Sequence, residues 1–243
     1  MSIQVIDSAL SGATGARYDD PLKYYRITDR FMGGSNSSGY VGQLRWWRAG
    51  TNPKNMATVN ASDGAFGVKG VASDSAQNDV TRWSQYNKDI GKLRAGMRIT
   101  IRIRPRAGAS SDMAFAFGVQ DGTGSNPLTT TDVEFVGFRH QSTVDGNVYA
   151  VIKDGTLAAG KESVVNLGAL DTTNWTTYQM EVGATGMTAY KDGTLMGSTD
   201  LSNFDTSVTY ASYMMAYTEG AAVGSDRIVD ITLWDLIIPT GGW

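Results

Sequence analysis

Residues 97–104 read Met97-Arg98-Ile99-Thr100-Ile101-Arg102-Ile103-Arg104, and Pro105 follows them. Apolar and polar side chains alternate here without a break, which is the pattern of a β-strand with one buried and one exposed face. The same period returns shortly afterwards in Met113, Phe115, Phe117 and Val119. Because no long segment keeps a helical period, the sequence predicts a chain built from strands.

Further strand patterns follow along the chain, and turn dipeptides separate most of them. Asp145-Gly146, Asp154-Gly155 and Asp192-Gly193 favour tight hairpins, because glycine tolerates positive φ and aspartate bonds its own backbone. The predicted strands are Tyr40 to Arg48, Ala65 to Ala72, Val80 to Tyr86, Asp132 to His140, Asn147 to Lys153, Trp175 to Val182, Gly186 to Lys191, Val208 to Tyr217 and Asp226 to Ile238. Many short strands predict an all-β sandwich of two antiparallel sheets.

The predicted organisation is one domain with an extension at its amino end. Residues 1–39 carry Gly, Ser and Asp with only a short strand-like start, which predicts an N-terminal arm or irregular covering segment. Residues 40–243 are predicted to form a single sandwich domain, since all-β units often reach this length.

The composition of the chain disfavours several classes of function and partner. The 243 residues include no cysteine, so packing rather than disulfides must hold the fold. A formal charge of −3 and dispersed basic residues disfavour nucleic acid as a partner. No apolar run is long enough to cross a bilayer, and the start Met1-Ser2-Ile3-Gln4 lacks the features of a signal peptide. We therefore expect no membrane insertion and synthesis in a host cytoplasm.

The segment from Trp175 onward carries a family resemblance. It reads Trp-Thr-Thr-Tyr-Gln-Met-Glu-Val-Gly-Ala-Thr-Gly-Met-Thr-Ala-Tyr-Lys-Asp-Gly-Thr-Leu-Met-Gly, and the closing strand reads Ile228-Val229-Asp230-Ile231-Thr232-Leu233-Trp234-Asp235. A strand opening with Trp, a hairpin ending in Tyr-x-Asp-Gly and a strand with a small residue such as Gly197 resemble the laminin G-like branch of the concanavalin A-like lectin and glucanase superfamily. The resemblance implies a jelly-roll sandwich.

Asp132 and Glu134 are the candidate catalytic carboxylates. The segment from Thr130 to Phe138 is similar to the catalytic strand of laminarinase-type glycoside hydrolases, which has Glu-x-Asp-x-Glu on one face. A retaining mechanism needs two such carboxylates about 5 Å apart. Because Thr130 stands where the resemblance places the nucleophile, we predict that the chain is not an enzyme and that these carboxylates lie on a polar outer face.

Two further candidates concern a histidine and a metal. His140 is the only histidine, so a zinc site with two imidazoles within one chain is excluded, and we expect a surface histidine. We expect no cofactor, with calcium as the alternative that the resemblance implies. Asp121 and Asn126, in one glycine-rich loop, are the predicted ligands, although aspartate in turns also serves the backbone.

Aromatic residues supply the candidate contacts for a carbohydrate or a protein partner. Trp46 and Trp47 are adjacent, so in a strand one points inward and the other outward. The predicted contact residues are Trp46, Trp47, Tyr213, Tyr217 and Trp243. Arg98, Arg102 and Arg104 share one strand face, which we interpret as a solvated face, with an anion or partner patch as the alternative.

The absence of a signal peptide, a cysteine and a full catalytic set favours a non-enzymatic structural or adhesive module of a larger assembly. We predict a phage virion protein, such as a capsid decoration or tail-associated subunit, with other virion subunits as partners and a homo-oligomeric state. The alternatives are a carbohydrate-binding adhesin that recognises a host glycan and a glycan-cleaving enzyme of the laminarinase type.

Overall fold

A computed structural model describes fourteen segments of the chain, and all of the regular structure in them is β-strand. The segments are residues 24–29, 40–41, 46–51, 57–58, 69–73, 80–84, 91–92, 94–106, 113–121, 126–128, 133–154, 161–200, 209–218 and 227–239. Within these segments there is no helix long and apolar enough to cross a membrane.

Seventeen strands are found in the described segments. They are β1 (Tyr24–Asp29), β2 (Tyr40–Val41), β3 (Trp46–Thr51), β4 (Ala57–Thr58), β5 (Lys69–Ser73), β6 (Val80–Ser84), β7 (Gly91–Lys92), β8 (Arg98–Pro105), β9 (Met113–Asp121), β10 (Phe135–Gln141), β11 (Asn147–Asp154), β12 (Lys161–Ala169), β13 (Thr176–Val182), β14 (Gly186–Lys191), β15 (Thr194–Asp200), β16 (Thr209–Thr218) and β17 (Arg227–Pro239).

The strands form two antiparallel sheets. The eight-stranded sheet has the order β15-β14-β13-β8-β17-β5-β4, and β1 also pairs with β17. The nine-stranded sheet has the order β12-β11-β10-β9-β16-β6-β3-β2, and β7 also pairs with β16. The predicted all-β sandwich of two antiparallel sheets is confirmed.

One apolar core joins the inner faces of the sheets. In β8, Ile99, Ile101 and Ile103 are fully buried, and in β9, Phe115 and Phe117 belong to the same cluster. Alternate positions therefore supply the core from both sheets, as the sequence period predicts. Burying a large apolar side chain of this kind contributes about 1.5–3 kcal/mol, so the two inner faces hold the sheets together.

The closing strand β17 changes face partway along. Its register against β8 shifts between Ile231 and Leu233. Before the shift Val229 and Ile231 belong to the core. After it, Trp234 is the next core residue, so the spacing of two is interrupted. A bulge of this kind re-aims the side chains that follow it, so a simple alternation pattern cannot run through the whole strand.

The hairpin between β14 and β15 has the turn that the sequence predicts. Asp192 has a φ of 48° and Gly193 a φ of 79°. Two consecutive positive φ values define the type I′ turn, which matches the twist of the strands on either side. The Asp192 side chain also accepts a hydrogen bond from the backbone N–H of Thr177, at 2.8 Å, and this ties the turn to the start of β13.

Strand β1 corrects the prediction for the amino-terminal segment. Tyr24–Asp29 lies within the predicted irregular arm, yet it pairs along its whole length with β17. Asp29 is buried and accepts a hydrogen bond from Nε1 of Trp46 at 2.9 Å. The rest of residues 1–39 lies outside the described residues, and the division of the chain at residue 39 stays a prediction.

Candidate functional site

The outer face of the nine-stranded sheet has small residues at its centre. Ala114, Ala116 and Gly118 follow one another on the outer positions of β9, and Gly118 pairs with Gly137 of β10. A Cβ atom added to Gly118 would lie 2.1 Å from the carbonyl oxygen of Val136. Glycine is therefore required here because another strand's backbone approaches too closely for a side chain.

A transverse row of paired residues crosses the sheet through these two glycines. Successive strand pairings join Trp47 of β3, Ser84 of β6, Tyr213 of β16, Gly118 of β9, Gly137 of β10, Val151 of β11 and Val164 of β12. We call these seven residues the glycine row. The five strand spacings from Trp47 to Val151 amount to about 24 Å at the usual separation of about 4.8 Å.

Apolar residues cover part of this face beside the row. Ala114, Ala116, Phe135 and Val151 form a small buried cluster, separate from the main core, and Leu128 and Tyr149 pack against it. Lys153 is buried too, and its Nζ donates to the carbonyl oxygen of Pro127 at 2.9 Å. The segment 126–128 is thereby tied to β11, so this end of the face is partly closed.

Charged residues surround Tyr149 of β11 on the same face. The guanidinium carbon of Arg139 lies 4.9 Å from the ring centroid of Tyr149, and its Nη2 forms an ion pair with Glu162 at 2.9 Å. The hydroxyl of Tyr149 donates to Asp145, and this hydrogen bond lowers the pKa of the Asp145 carboxyl. An aromatic ring held between charged groups is a common element of carbohydrate sites.

The predicted aromatic contacts divide into three groups. Trp46 is fully buried and packs edge to face against Trp234, so it is a core residue and the prediction of a ligand contact is wrong for it. Trp47 and Tyr213 both lie on the glycine row, with Ser84 of β6 between them, and Tyr217 pairs with Ala114, four residues along β16 from Tyr213. Trp243 lies outside the described residues.

Glu134 is the carboxylate of the laminarinase-like segment that the structure describes, and the prediction that the chain has no catalytic residue stays a prediction. Glu134 is buried, its N–H donates to Oδ1 of Asp121 at 2.9 Å, and its carbonyl accepts from the Asp121 N–H at 3.1 Å. The ladder thus continues to Glu134, which shares its face with the core residues Val136 and Phe138. The predicted polar outer face is wrong for Glu134. Thr130 and Asp132 lie outside the described residues.

His140 is also buried, which corrects the expectation of a surface histidine. Its Nδ1 lies 3.0 Å from the carbonyl oxygen of Asn147, so an N–H at Nδ1 donates to that carbonyl. Its ring stacks on Phe115 with a centroid distance of 5.4 Å. His140 therefore occupies the inner face of β10.

The predicted calcium ligands each serve the backbone. Asp121 accepts from Glu134, and Oδ1 of Asn126 accepts from the N–H of Leu128 at 2.9 Å. Burial raises the pKa of Asp121, while the hydrogen bond from Glu134 acts in the opposite direction. Within the described segments no group of three acidic or histidine side chains is placed to hold a metal ion. Calcium binding stays a prediction.

Sequence reasoning did not single out Gly118 and Gly137. The available signal was a glycine inside an otherwise regular strand, which often marks a close backbone approach. Pairing those two glycines with each other and with Trp47 requires the strand order, because these residues come from distant parts of the chain.

Comparison with known proteins identifies the fold. No family model matches the chain, and no curated protein matches it in sequence. An endo-β-1,3-glucanase from Pyrococcus furiosus is similar in structure, with a TM-score of 0.60, 12% identity, and coverage of 92% of this chain and 97% of that one. A Shewanella oneidensis protein of unknown function is also similar, with a TM-score of 0.58, 16% identity, and coverage of 98% of this chain and 97% of that one.

Other similar structures include glucanases and a carbohydrate recognition domain. The laminarinase catalytic domain from Thermotoga maritima matches with a TM-score of 0.60 and 11% identity, covering 88% of this chain and 98% of that one. At such identities the likeness establishes the fold, which is the jelly roll of the concanavalin A-like glucanases and lectins. The predicted jelly-roll sandwich is confirmed, and membership of the superfamily stays a prediction.

The same comparisons correct the predicted function. We predicted a non-enzymatic structural or adhesive module of a virus particle, and this prediction is wrong. The solved structures that resemble the chain are largely β-glucanases, and they favour the alternatives that concern glycans. The predictions of virion subunits as partners, a homo-oligomer and a virion location stay untested.

Proposed function

We propose that the protein binds a β-linked glucan chain across the outer face of its nine-stranded sheet. The observation that carries the proposal is the glycine row, in which Tyr213 pairs with Gly118, Gly118 pairs with Gly137, and Trp47 occupies the same row three strands from Gly118. Aromatic side chains are the groups on which sugar rings commonly stack, and two aromatic residues belong to this row. The similar structures include an endo-β-1,3-glucanase and a mixed-linkage glucan enzyme, and these suggest β-glucan as the class of glycan.

The proposed contacts along the chain of sugars differ from one end to the other. Trp47 and Tyr213 would contact the faces of sugar rings, while Arg139 and Glu162 would bond hydroxyl groups near Tyr149. Arg139 and Glu162 are both partly accessible, with side-chain exposures of 17% and 26%. Hydroxyl groups accept from a guanidinium and donate to a carboxylate, so the ion pair suits a neutral sugar.

Binding can be tested with β-1,3-glucan and mixed-linkage β-glucan, using dextran as a control polymer of different linkage. We expect titration calorimetry to detect binding of at least one β-glucan, and Trp47→Ala to weaken it about tenfold, which corresponds to about 1.4 kcal/mol. Leu195→Ala, at an exposed apolar residue of β15 in the opposite sheet, serves as the matched control and leaves this affinity unchanged. Absence of binding to both β-glucans, or equal losses in the two variants, would refute the proposal.

Cleavage of the bound glucan is the second candidate, favoured by the number of glucanases among the similar structures. We place it after binding because Thr130 stands at the nucleophile position of the resemblance and Glu134 shares the core face of its strand. Release of reducing ends from either β-glucan, abolished in Glu134→Gln, would establish a carboxylate mechanism. Release that persists in this variant would exclude Glu134 from the chemistry.

A further inference from the structure

The outer face of the eight-stranded sheet carries an aromatic ring with two arginines over it. The guanidinium carbons of Arg102 and Arg104 lie 5.8 and 4.9 Å from the ring centroid of Trp175. Both arginines are on the outer side of β8, two residues apart, and Trp175 directly precedes β13, which pairs with β8. We call these three residues the arginine–tryptophan cluster.

Strand pairing explains why the three residues meet. Thr176 pairs with Ile103 and Thr177 with Arg102, so Trp175 lies beside Arg104 at the edge of the paired region. The planar guanidinium group stacks well on an aromatic face, and the ring therefore holds both cations in a defined place. Arg102 is exposed and Trp175 partly exposed, so a ligand can reach the cluster from solvent.

Four arginines in or near this cluster form ion pairs with acidic residues that the structure describes. Arg98 and Arg26 are each paired with an acid, namely Glu181 and Asp235. Arg104 and Arg106 share a single carboxylate, that of Asp230, at 3.7 and 2.9 Å.

Arg102 forms no ion pair with any residue that the structure describes. Arg102 is therefore an exposed cation that no described carboxylate neutralises, in a protein whose formal charge is −3. The solvated face that we predicted for Arg98, Arg102 and Arg104 is wrong for Arg98, whose side chain is 5% exposed.

We propose that the arginine–tryptophan cluster is a binding site for an acidic polysaccharide that bears sulfate or carboxylate groups. Guanidinium groups recognise such anions through two parallel N–H donors, and the exposed cation Arg102 supplies them. The exposed part of the Trp175 ring offers a surface to the sugar that carries the anion. The site lies on the opposite face from the glycine row and is independent of the function proposed there.

The test uses dextran sulfate and unsubstituted dextran, which share one sugar backbone, together with polygalacturonate as a carboxylate polymer. We expect the full chain to bind at least one acidic polymer and not dextran, with an affinity that falls as salt is raised because exposed charges are screened. The double variant Arg102→Gln/Arg104→Gln should weaken binding about tenfold or more, since two charge-assisted contacts are lost. Thermal unfolding of each variant checks that it is folded.

Lys92→Gln is the matched control, because it removes an exposed positive charge from the other sheet. We expect it to change the affinity for the acidic polymer less than twofold, about the effect of net charge alone. Equal weakening by Lys92→Gln and the double variant would overturn the proposal, as would failure of both acidic polymers to bind. The β-glucan affinity of the double variant should match that of the parent chain, so failure here is separable from failure of the glucan proposal.

Discussion

The outer faces of the two sheets differ more than their inner faces do. On the outer side of β8 lie Arg98, Thr100, Arg102 and Arg104, whereas the corresponding side of β9 carries Ala114, Ala116, Gly118 and Gln120. The inner side of each strand is equally apolar, with isoleucines in β8 and phenylalanines in β9. Folding therefore fixes the inner faces, whereas the outer faces differ in charge and size, and it is there that we propose two different ligands bind.

Gly118→Val should show the largest effect, because it places a side chain where the nine-stranded sheet has none. The new Cβ would lie 2.1 Å from the oxygen of Val136 and 2.6 Å from Cα of Gly137, both backbone atoms that cannot move aside easily. We expect a loss of about 3 kcal/mol or more in the free energy of unfolding, measured with urea.

Gly146→Asn is the control for that substitution. Gly146 has a φ of 72° and no atom within 4 Å of its added Cβ, and asparagine tolerates this backbone conformation. We expect a loss of less than about 1 kcal/mol. Similar losses at Gly118 and Gly146 would show that the close strand approach does not control stability.

Asp235→Asn, on the outer face of the eight-stranded sheet, should have the next largest effect on the free energy of unfolding. Asp235 is 5% exposed and accepts from Nε and Nη2 of Arg26 at 2.7 and 3.0 Å, and from the hydroxyl of Thr28. Removing the charge leaves Arg26 without its acid, although its own exposure of 29% moderates the cost. We expect a loss of about 2 kcal/mol in thermal or urea unfolding.

Glu162→Gln gives the matching measurement on the other face. The pair of Arg139 and Glu162 has a similar distance of 2.9 Å, but both side chains are more accessible than Asp235. An accessible ion pair contributes less, so we expect a loss of about 0.5 kcal/mol. Equal losses in the two variants would mean that burial does not distinguish the two faces.

The sequence predicts strands best where only one of their faces is buried. In β13 buried and partly exposed residues alternate along the whole strand, and the predicted strand from Trp175 to Val182 is confirmed. In β9, by contrast, eight successive residues are buried. Its apolar residues still alternate with Ala and Gly, so the strand was predictable, but the burial of its outer face was not.

Other features depended on partners that are far away in sequence. Strand β1 is short and contains two charged residues. Arg26 is stabilised there by its ion pair with Asp235, and Asp29 by its hydrogen bond from Trp46. The burial of Glu134 and His140 likewise depends on how β10 is registered between its neighbours. Pattern along one segment cannot supply this information, because it arises only when the strands are assembled.

Trp46 and Trp47 show how far the sequence alone can predict the residues of the candidate site. Alternation predicts that one of the pair is buried, and the structure shows that it is Trp46. The sequence alone cannot choose between them, since either choice keeps the same period of two. The choice follows from the hydrogen bond of Trp46 to Asp29 and its contact with Trp234.

The smallest expected effect on stability is a pH dependence that arises from Asp121, the last residue of β9. Asp121 has no ion pair among the described residues, unlike Asp230 and Asp235 of the other sheet. Burial raises its pKa above the usual 3.8, so the folded state keeps the proton to a higher pH than the unfolded chain does. Stability attributable to this group therefore falls as pH rises through that interval, and the cost persists at neutral pH.

Asp121→Asn removes this cost without removing the acceptor, because its amide oxygen can still accept from the Glu134 N–H. We expect the stability of the variant relative to the parent to increase from acid to neutral pH, as measured by urea unfolding across the pH range. Asp145→Asn should show the opposite sign, since the hydroxyl of Tyr149 lowers the pKa of Asp145 and the charged form is the favoured one. If both variants shift in the same direction, burial is not what separates the two carboxylates.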